Sequence, residues 1–146
     1  MRVRTQSLVA LGVVMAVSAG CDFGHAVPTA PDQSNVAFST TDLTLGTGTV
    51  AAAGSTVNVT YGIWLYSQTG ADHKGTQLQG GQLPPFVLGT NQVIKGFDMA
   101  VTGMAVGGTR RAIVPPSLAY GSSGTPDGAI PPNAALVFDI QLTGVK

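Results

Sequence analysis

The side chains best suited to covalent or acid–base chemistry are scarce in this sequence and poorly placed for it. His25 and His73 are the two histidines. Neither has a second histidine or a cysteine at metal-ligand spacing, so no metal centre is expected. Ser117, Ser122 and Ser123 sit in a loop without a base beside them and read as loop residues rather than nucleophiles. Glutamate is absent and the aspartates are scattered, which gives paired-carboxylate catalysis no footing. Gly46-Thr47-Gly48 joins short strands and opens no helix, so it is a turn and not a phosphate cradle. Tyr61 and Tyr120 are more telling. Each lies near apolar rows, where a phenol hydroxyl needs a partner.

Charge excludes another class. Beyond residue 20 the basic residues are Lys74, Lys95, Arg110, Arg111 and Lys146, against aspartates 22, 32, 42, 72, 98, 127 and 139. There is no basic stripe, so nucleic acid is not an expected partner.

The N-terminus has the pattern of an export signal. Arg2 and Arg4 precede the apolar run Leu8–Val17, interrupted only by Gly12 and too short to span a bilayer as a helix. Ser18-Ala19-Gly20 supplies small residues for cleavage. Cys21, the only cysteine, follows directly and excludes an internal disulfide. Val17–Cys21 resembles a bacterial lipobox, with Ser18 where Leu or Val is usual. The resemblance implies lipidation of Cys21 and anchoring to a bacterial membrane, facing the periplasm or the cell exterior. Ordinary secretory cleavage is the alternative. The expected organisation is a signal peptide over 1–20, a flexible anchored tether over 21–35 and one domain over 36–146.

Within that domain, the elements that must position any site are legible by period. Ser55–Tyr66 alternates, with Val57, Val59, Tyr61, Ile63 and Leu65 on one face. Asp42–Leu45 and Phe86–Leu88 are brief strand signals, and Thr109–Val114 is a strand stopped by Pro115-Pro116. Ile94, Phe97, Val101 and Met104 recur every three or four residues, as on a short amphipathic helix. Ala135–Val145 alternates again, with Leu136, Phe138, Ile140 and Leu142 inward. Ser67–Leu83 is polar and rich in Gly and Gln, and reads as a long loop. Arg110 and Arg111 alternate across their strand, so at least one is expected on a solvated face. Together these predict an α+β fold, an antiparallel sheet curled around one short helix that buries both apolar rows. Period alone assigns Val93, Ile94, Phe97 and Phe138 to the core.

Three blocks carry a family signature. They are V-I-K-G-F-D at Val93–Asp98 with G-M-A-V-G-G at Gly103–Gly108, P-S-L-A-Y-G at Pro116–Gly121, and I-P-P-N-A-A-L-V-F-D at Ile130–Asp139. In order and spacing they resemble the FKBP-type peptidyl-prolyl cis-trans isomerases, over about Val36 to Lys146. The resemblance implies an aromatic pocket between helix and sheet. It assigns catalytic positions to Tyr61, to Ile94 through its backbone N–H, and to Tyr120 through its hydroxyl. Substrate-binding positions are Leu78, Gln79, Val93, Phe97, Ile130 and Phe138. Leu78-Gln79 departs from the family, which usually has an aromatic–aspartate pair there. Pro84-Pro85-Phe86 leaves open which residue fills the next wall position.

The resemblance further implies a cofactor-independent isomerase acting on proline-containing polypeptides, with macrolides of the tacrolimus or rapamycin type as possible ligands. The expected preference before proline is apolar. A non-catalytic peptide-binding chaperone module on the same fold is the alternative that Leu78-Gln79 favours, and an envelope lipoprotein with an unused pocket is a third.

Overall fold

The alternating run around Tyr61 builds the central strand. A computed structural model describes residues 32–146, and Cys21 with the segment before it lies outside those residues. Strand β2, Thr56–Tyr66, buries Val57, Val59 and Ile63 on one face, with Tyr61 half-buried in the same row. β6, Leu136–Val145, pairs along nearly its whole length, setting Ile63 opposite Phe138 and Gly62 opposite Asp139. β5, Thr109–Val114, pairs the other edge of β6, and β1, Ser39–Thr44, closes that side. β3, Lys74–Gln82, and β4, Phe86–Val87, in turn occupy the remaining edge of β2. The result is a six-stranded sheet in the order β1-β5-β6-β2-β3, every pairing antiparallel.

Among the described residues one α-helix, α1, Lys95–Val101, packs against β5 and β6 and buries Gly96, Phe97, Ala100 and Val101. Seven residues are too few for a helix to persist alone in water, so packing holds it. Gly96 sets the distance. A Cβ there would lie 2.2 Å from Val114 Cγ1 and 3.1 Å from the Leu118 carbonyl, so only glycine lets the helix start approach β5. Burial of each large apolar side chain in the shared core contributes about 1.5–3 kcal/mol.

Two expectations need correction. Ser67–Leu83 is not all loop, because Lys74–Gln82 forms β3. Its Gly/Gln composition has low strand propensity, but β2 offers an open edge whose N–H and C=O groups need partners. Neither arginine stands on a merely solvated face. Arg110 binds the Asp42 carboxylate at 2.5 and 3.2 Å and donates to the carbonyls of Ala100 and Thr102, tying β1 to the end of α1. Arg111 clasps Asp139 at 2.7 and 3.0 Å and reaches Asp72 at 3.0 Å. Gln33, within the expected tether, makes side-chain contacts with the domain. The Gln33 side chain accepts from the Ala135 N–H and donates to the Tyr66 carbonyl.

Candidate functional site

Between α1 and the sheet opens a cavity of about 610 Å³ lined by Tyr61, Leu78, Gln79, Val93, Ile94, Phe97, Tyr120, Ile130 and Phe138. All nine pocket residues inferred from the sequence therefore meet in one place. A slightly larger hollow of about 670 Å³ lies elsewhere, between residues 32–39 and the end of β2. It is mostly polar and holds none of these side chains.

The floor is aromatic. Phe97, only 3% exposed, is met edge-on by Phe138 at 5.3 Å and by Tyr61 at 6.0 Å between ring centres. Phe86 supports it from behind at 6.0 Å. Such ring contacts favour crossed over face-to-face geometry, which fixes the shape of the hollow. The strand ladder explains the arrangement. Ile63 and Phe138 oppose each other and share the inner face, while α1 brings Phe97 down onto them.

β3 supplies a wall by an irregularity. Ile63 pairs with Gln79 but Trp64 pairs with Gln77, so Leu78 is an extra residue at a bulge. Consecutive strand residues normally face opposite ways. Here Leu78 and Gln79 both line the cavity. Leu83 completes that wall, which answers the question left by Pro84-Pro85-Phe86, and Phe86 goes underneath.

The helix start brings a free donor. Ile94 is the N-cap of α1, and its carbonyl accepts from Phe97 and Asp98 at 3.0 and 3.1 Å. Among the described residues its own N–H has no backbone or side-chain acceptor. Isoleucine is a poor cap, costing about 1 kcal/mol against Ser or Asp. Departures of this kind from local preference concentrate at functional sites. The preceding loop is held by Asp98, which takes the Gly89 N–H on both oxygens at 3.1 and 3.0 Å, and by Gln92, which accepts from the Val87 N–H at 3.0 Å.

Tyr120 stands at the mouth, 40% exposed. Burial of its ring pushes its phenol pKa up, with further upward contributions from Tyr61 and Asp127, so it is a protonated donor at neutral pH. Neither Tyr61 nor Tyr120 takes part in a side-chain hydrogen bond among the described residues, and no buried side-chain oxygen or nitrogen there lacks a partner. Tyr61 lines the cavity, and its hydroxyl is not sealed from solvent. The loop beyond Tyr120 is braced by Thr125, whose hydroxyl accepts from the Ile130 N–H at 2.9 Å. This places Ile130 in the wall, 6% exposed.

Sequence reasoning missed Ile63, Leu83, Asn91, Gln92 and Ala129 as lining residues, and it places Thr125 and Asp127 only within Gly121–Gly128, a loop expected to overhang the pocket. The Pro126-Asp127-Gly128 turn signal marks that loop, and the fold fixes which of its side chains face the cavity. Among the described residues no group of three or more His, Cys or Asp side chains could hold a metal ion. The cavity can accept an apolar ring, orient neighbouring carbonyls with an N–H and a phenol, and exclude water.

Comparison with known proteins agrees with this geometry. Residues 47–143 match the model of the FKBP-type peptidyl-prolyl cis-trans isomerase family. FK506-binding protein 3 of Candida albicans is 43% identical over 107 residues, covering 73% of this chain and 24% of the relative. Human peptidyl-prolyl cis-trans isomerase FKBP7 is 53% identical over 60 residues, covering 41% of this chain and 27% of its own length. This chain therefore spans about a quarter of the length of these curated relatives. A peptidyl-prolyl cis-trans isomerase from Pseudomonas syringae superposes with a TM-score of 0.61 at 31% identity, covering 82% of this chain and 84% of the other. FkpA from Escherichia coli superposes at 0.62 with 31% identity, covering 78% and 50%. With its sheet, helix and lined cavity in the matched region, the chain belongs to the FKBP-type peptidyl-prolyl cis-trans isomerase family.

Proposed function

We propose that this chain catalyses cis-trans isomerisation of X–Pro peptide bonds in the cavity on Phe97. The observation that carries the proposal is an aromatic floor lined by an unengaged N–H and two available phenols, open to a guest. Rotation about a peptide bond is slow because it breaks amide resonance, with a barrier of about 18–20 kcal/mol. Uncatalysed X–Pro exchange takes roughly 10–100 s. Reaching about ten turnovers per second needs about 10³-fold, or about 4 kcal/mol. No nucleophile or acid–base pair is required for that.

The twisted amide has less charge separation than the planar one, so a water-poor apolar site favours it over the ground state. Phe97, Phe138, Val93 and Ile130 would enclose the proline ring. The Ile94 N–H would hold a neighbouring carbonyl and the Tyr120 hydroxyl another, both in place before the bond turns. Macrolides of the tacrolimus type would occupy the same hollow; the name of the Candida relative supports that kind of ligand.

A binding-only module is the second reading, favoured by Leu78 and Gln79 on the wall. One experiment separates them. The chain is added to the refolding of a protein limited by a proline isomerisation, with and without a macrolide. Acceleration that the macrolide abolishes supports the enzyme. Macrolide binding without acceleration supports the binder, and neither result sinks both readings.

We further propose that the chain works outside the cytoplasmic membrane, anchored by lipid on Cys21, and assists folding of exported or envelope proteins. The lipobox-like Val17–Cys21 supports this reading, and stable anchoring takes more than one acyl chain. Radiolabelled palmitate should enter the wild-type protein and not Cys21→Ala; equal labelling of the two would refute it.

A further inference from the structure

The cavity contains one formal charge. Asp127 is the only Asp, Lys, Arg or His among its lining residues; Gln79, Asn91, Gln92, Thr125 and the two tyrosines are its other polar side chains. The carboxylate is exposed at the cavity rim, and the turn that carries it is fixed. Thr125, Pro126, Asp127 and Gly128 form a turn closed by the Gly128 N–H on the Thr125 carbonyl at 2.9 Å, with Gly128 at φ 73°. Proline second in the turn and glycine at its end are the residues this geometry demands. The Thr125 N–H to Ile130 carbonyl bond at 3.0 Å fixes the turn to the cavity wall. Asp127 accepts the Ala129 N–H on one oxygen at 3.2 Å. The Thr125 hydroxyl and that N–H hold its carboxyl below the usual range, so it is charged at neutral pH.

We infer that Asp127 gives the cavity a charge preference, favouring X–Pro segments with Lys or Arg beside the proline over segments with Asp or Glu. This rests on the isomerase reading above and replaces its simple apolar preference with an apolar-or-cationic one. The proline ring still goes to the aromatic floor. The side chain next to it must pass the rim, where a cation meets an opposite charge and an anion meets a like one.

The size of the effect follows from Coulomb's law. At roughly 8 Å in water-like surroundings the two signs of substrate charge should differ about five-fold. Salt should erase most of that difference at about 1 M, where the screening length is about 3 Å. Attraction at the rim acts on ground state and transition state alike, so it should appear in KM and leave kcat alone.

The test uses the full chain and two peptide sets that differ only in Lys, Leu or Glu at the residue before, or after, proline. Both turnover and peptide binding are measured, at low and high salt, for wild type, Asp127→Asn and Asp127→Lys. The expected result, in one of the sets, is a KM about five-fold lower and an affinity about five-fold higher for the Lys peptide than for the Glu peptide. Each ratio should collapse toward one in Asp127→Asn and in high salt, and invert in Asp127→Lys. The same ratio in wild type and Asp127→Asn, or no ratio in either set, overturns the inference. Because binding is measured separately, absence of turnover would sink the isomerase reading while leaving the charge preference to be decided by the affinities.

Discussion

The two faces of one sheet differ in what they leave unfinished. β6 carries both: Phe138 points inward to the cavity and its neighbour Asp139 outward. On the outer face the bonding is closed. Asp139 receives Arg111 at 2.7 and 3.0 Å and Lys74 at 2.5 Å, and Lys74 also lies 3.9 Å over the ring of Trp64. The Trp64 indole lies across Gly62, where a Cβ would come within 2.4 Å of it. On the inner face the Ile94 N–H and both tyrosine hydroxyls have no protein partner among the described residues, above a floor of rings and aliphatics. Polar groups that are paired hold a fold together; polar groups left open in an apolar hollow are available to a guest. Substitutions on the outer face should move stability with little change in turnover, and those at the inner rim the reverse.

The position that breaks this separation is Phe97, because it belongs to the core and to the cavity floor at once. Phe97→Ala removes the ring that Tyr61, Phe86 and Phe138 all meet. It should cost about 3–5 kcal/mol of stability and abolish isomerisation. Denaturant titration and a turnover assay check the pair of effects; loss of activity at unchanged stability would mean that the ring is not structural.

Asp139→Asn tests the outer face. An isolated surface pair is worth about 0–1 kcal/mol, while breaking a buried one costs about 3–5 kcal/mol. At 21% side-chain exposure Asp139 falls between, and a loss of about 1–2 kcal/mol is expected. The sign of its pH dependence is fixed. Burial alone would raise the carboxyl, but the hydrogen bonds from Arg111 and Lys74 outweigh it and hold the folded-state pKa below the usual value. The stabilisation is therefore complete above the unfolded-state pKa of about 3.9 and disappears as pH falls through the lower folded one. Wild type and Asp139→Asn should differ at pH 7 and converge in acid, with kcat/KM unaltered. A gap that persisted at low pH would show that the aspartate acts by packing rather than charge.

How far the sequence could see follows the same division. The inner face was legible. Apolar alternation in β2 and β6 and the spacing of Phe97, Val101 and Met104 are direct imprints of burial, and they placed the helix and both main strands. The cavity residues came from motif resemblance, since core and pocket wall share one period. The outer network was illegible because Asp42, Asp72 and Asp139 reach their arginines from separate segments that only the sheet register aligns. β3 was missed because an edge strand with both faces largely exposed needs no apolar pattern, and its bulge at Leu78 has no signature in the letters K-G-T-Q-L-Q-G-G-Q.

That bulge offers a way to sharpen the comparison. It presents two wall residues side by side, and both are smaller or less charged than the family's usual aromatic and aspartate. Leu78→Phe with Gln79→Asp should raise kcat/KM and macrolide affinity several-fold, by adding ring area and a charged acceptor worth about 1.5–3 kcal/mol when bonded. Stability should change little, since position 79 is exposed on β3 and its carboxylate stays hydrated. Unchanged kcat/KM and affinity would show that the wall on β3 is remote from the guest.

Tyr120→Phe is the smallest change and separates the faces most cleanly. Only one oxygen is removed, from a ring that is 40% exposed. That hydroxyl takes part in no side-chain bond among the described residues, so no partner in the protein is orphaned. Stability should stay within about 0.5 kcal/mol, as for surface substitutions generally. If the hydroxyl holds a substrate carbonyl, its loss costs about 0.5–1.5 kcal/mol, which lowers kcat/KM by roughly two- to ten-fold. The split between constants then locates the bond. A fall confined to kcat means that the hydroxyl engages the carbonyl only as the amide twists, and a rise confined to KM means that it holds planar and twisted forms equally. Unaltered kinetics would place the phenol outside the reacting site and leave the Ile94 N–H as the donor that orients the chain.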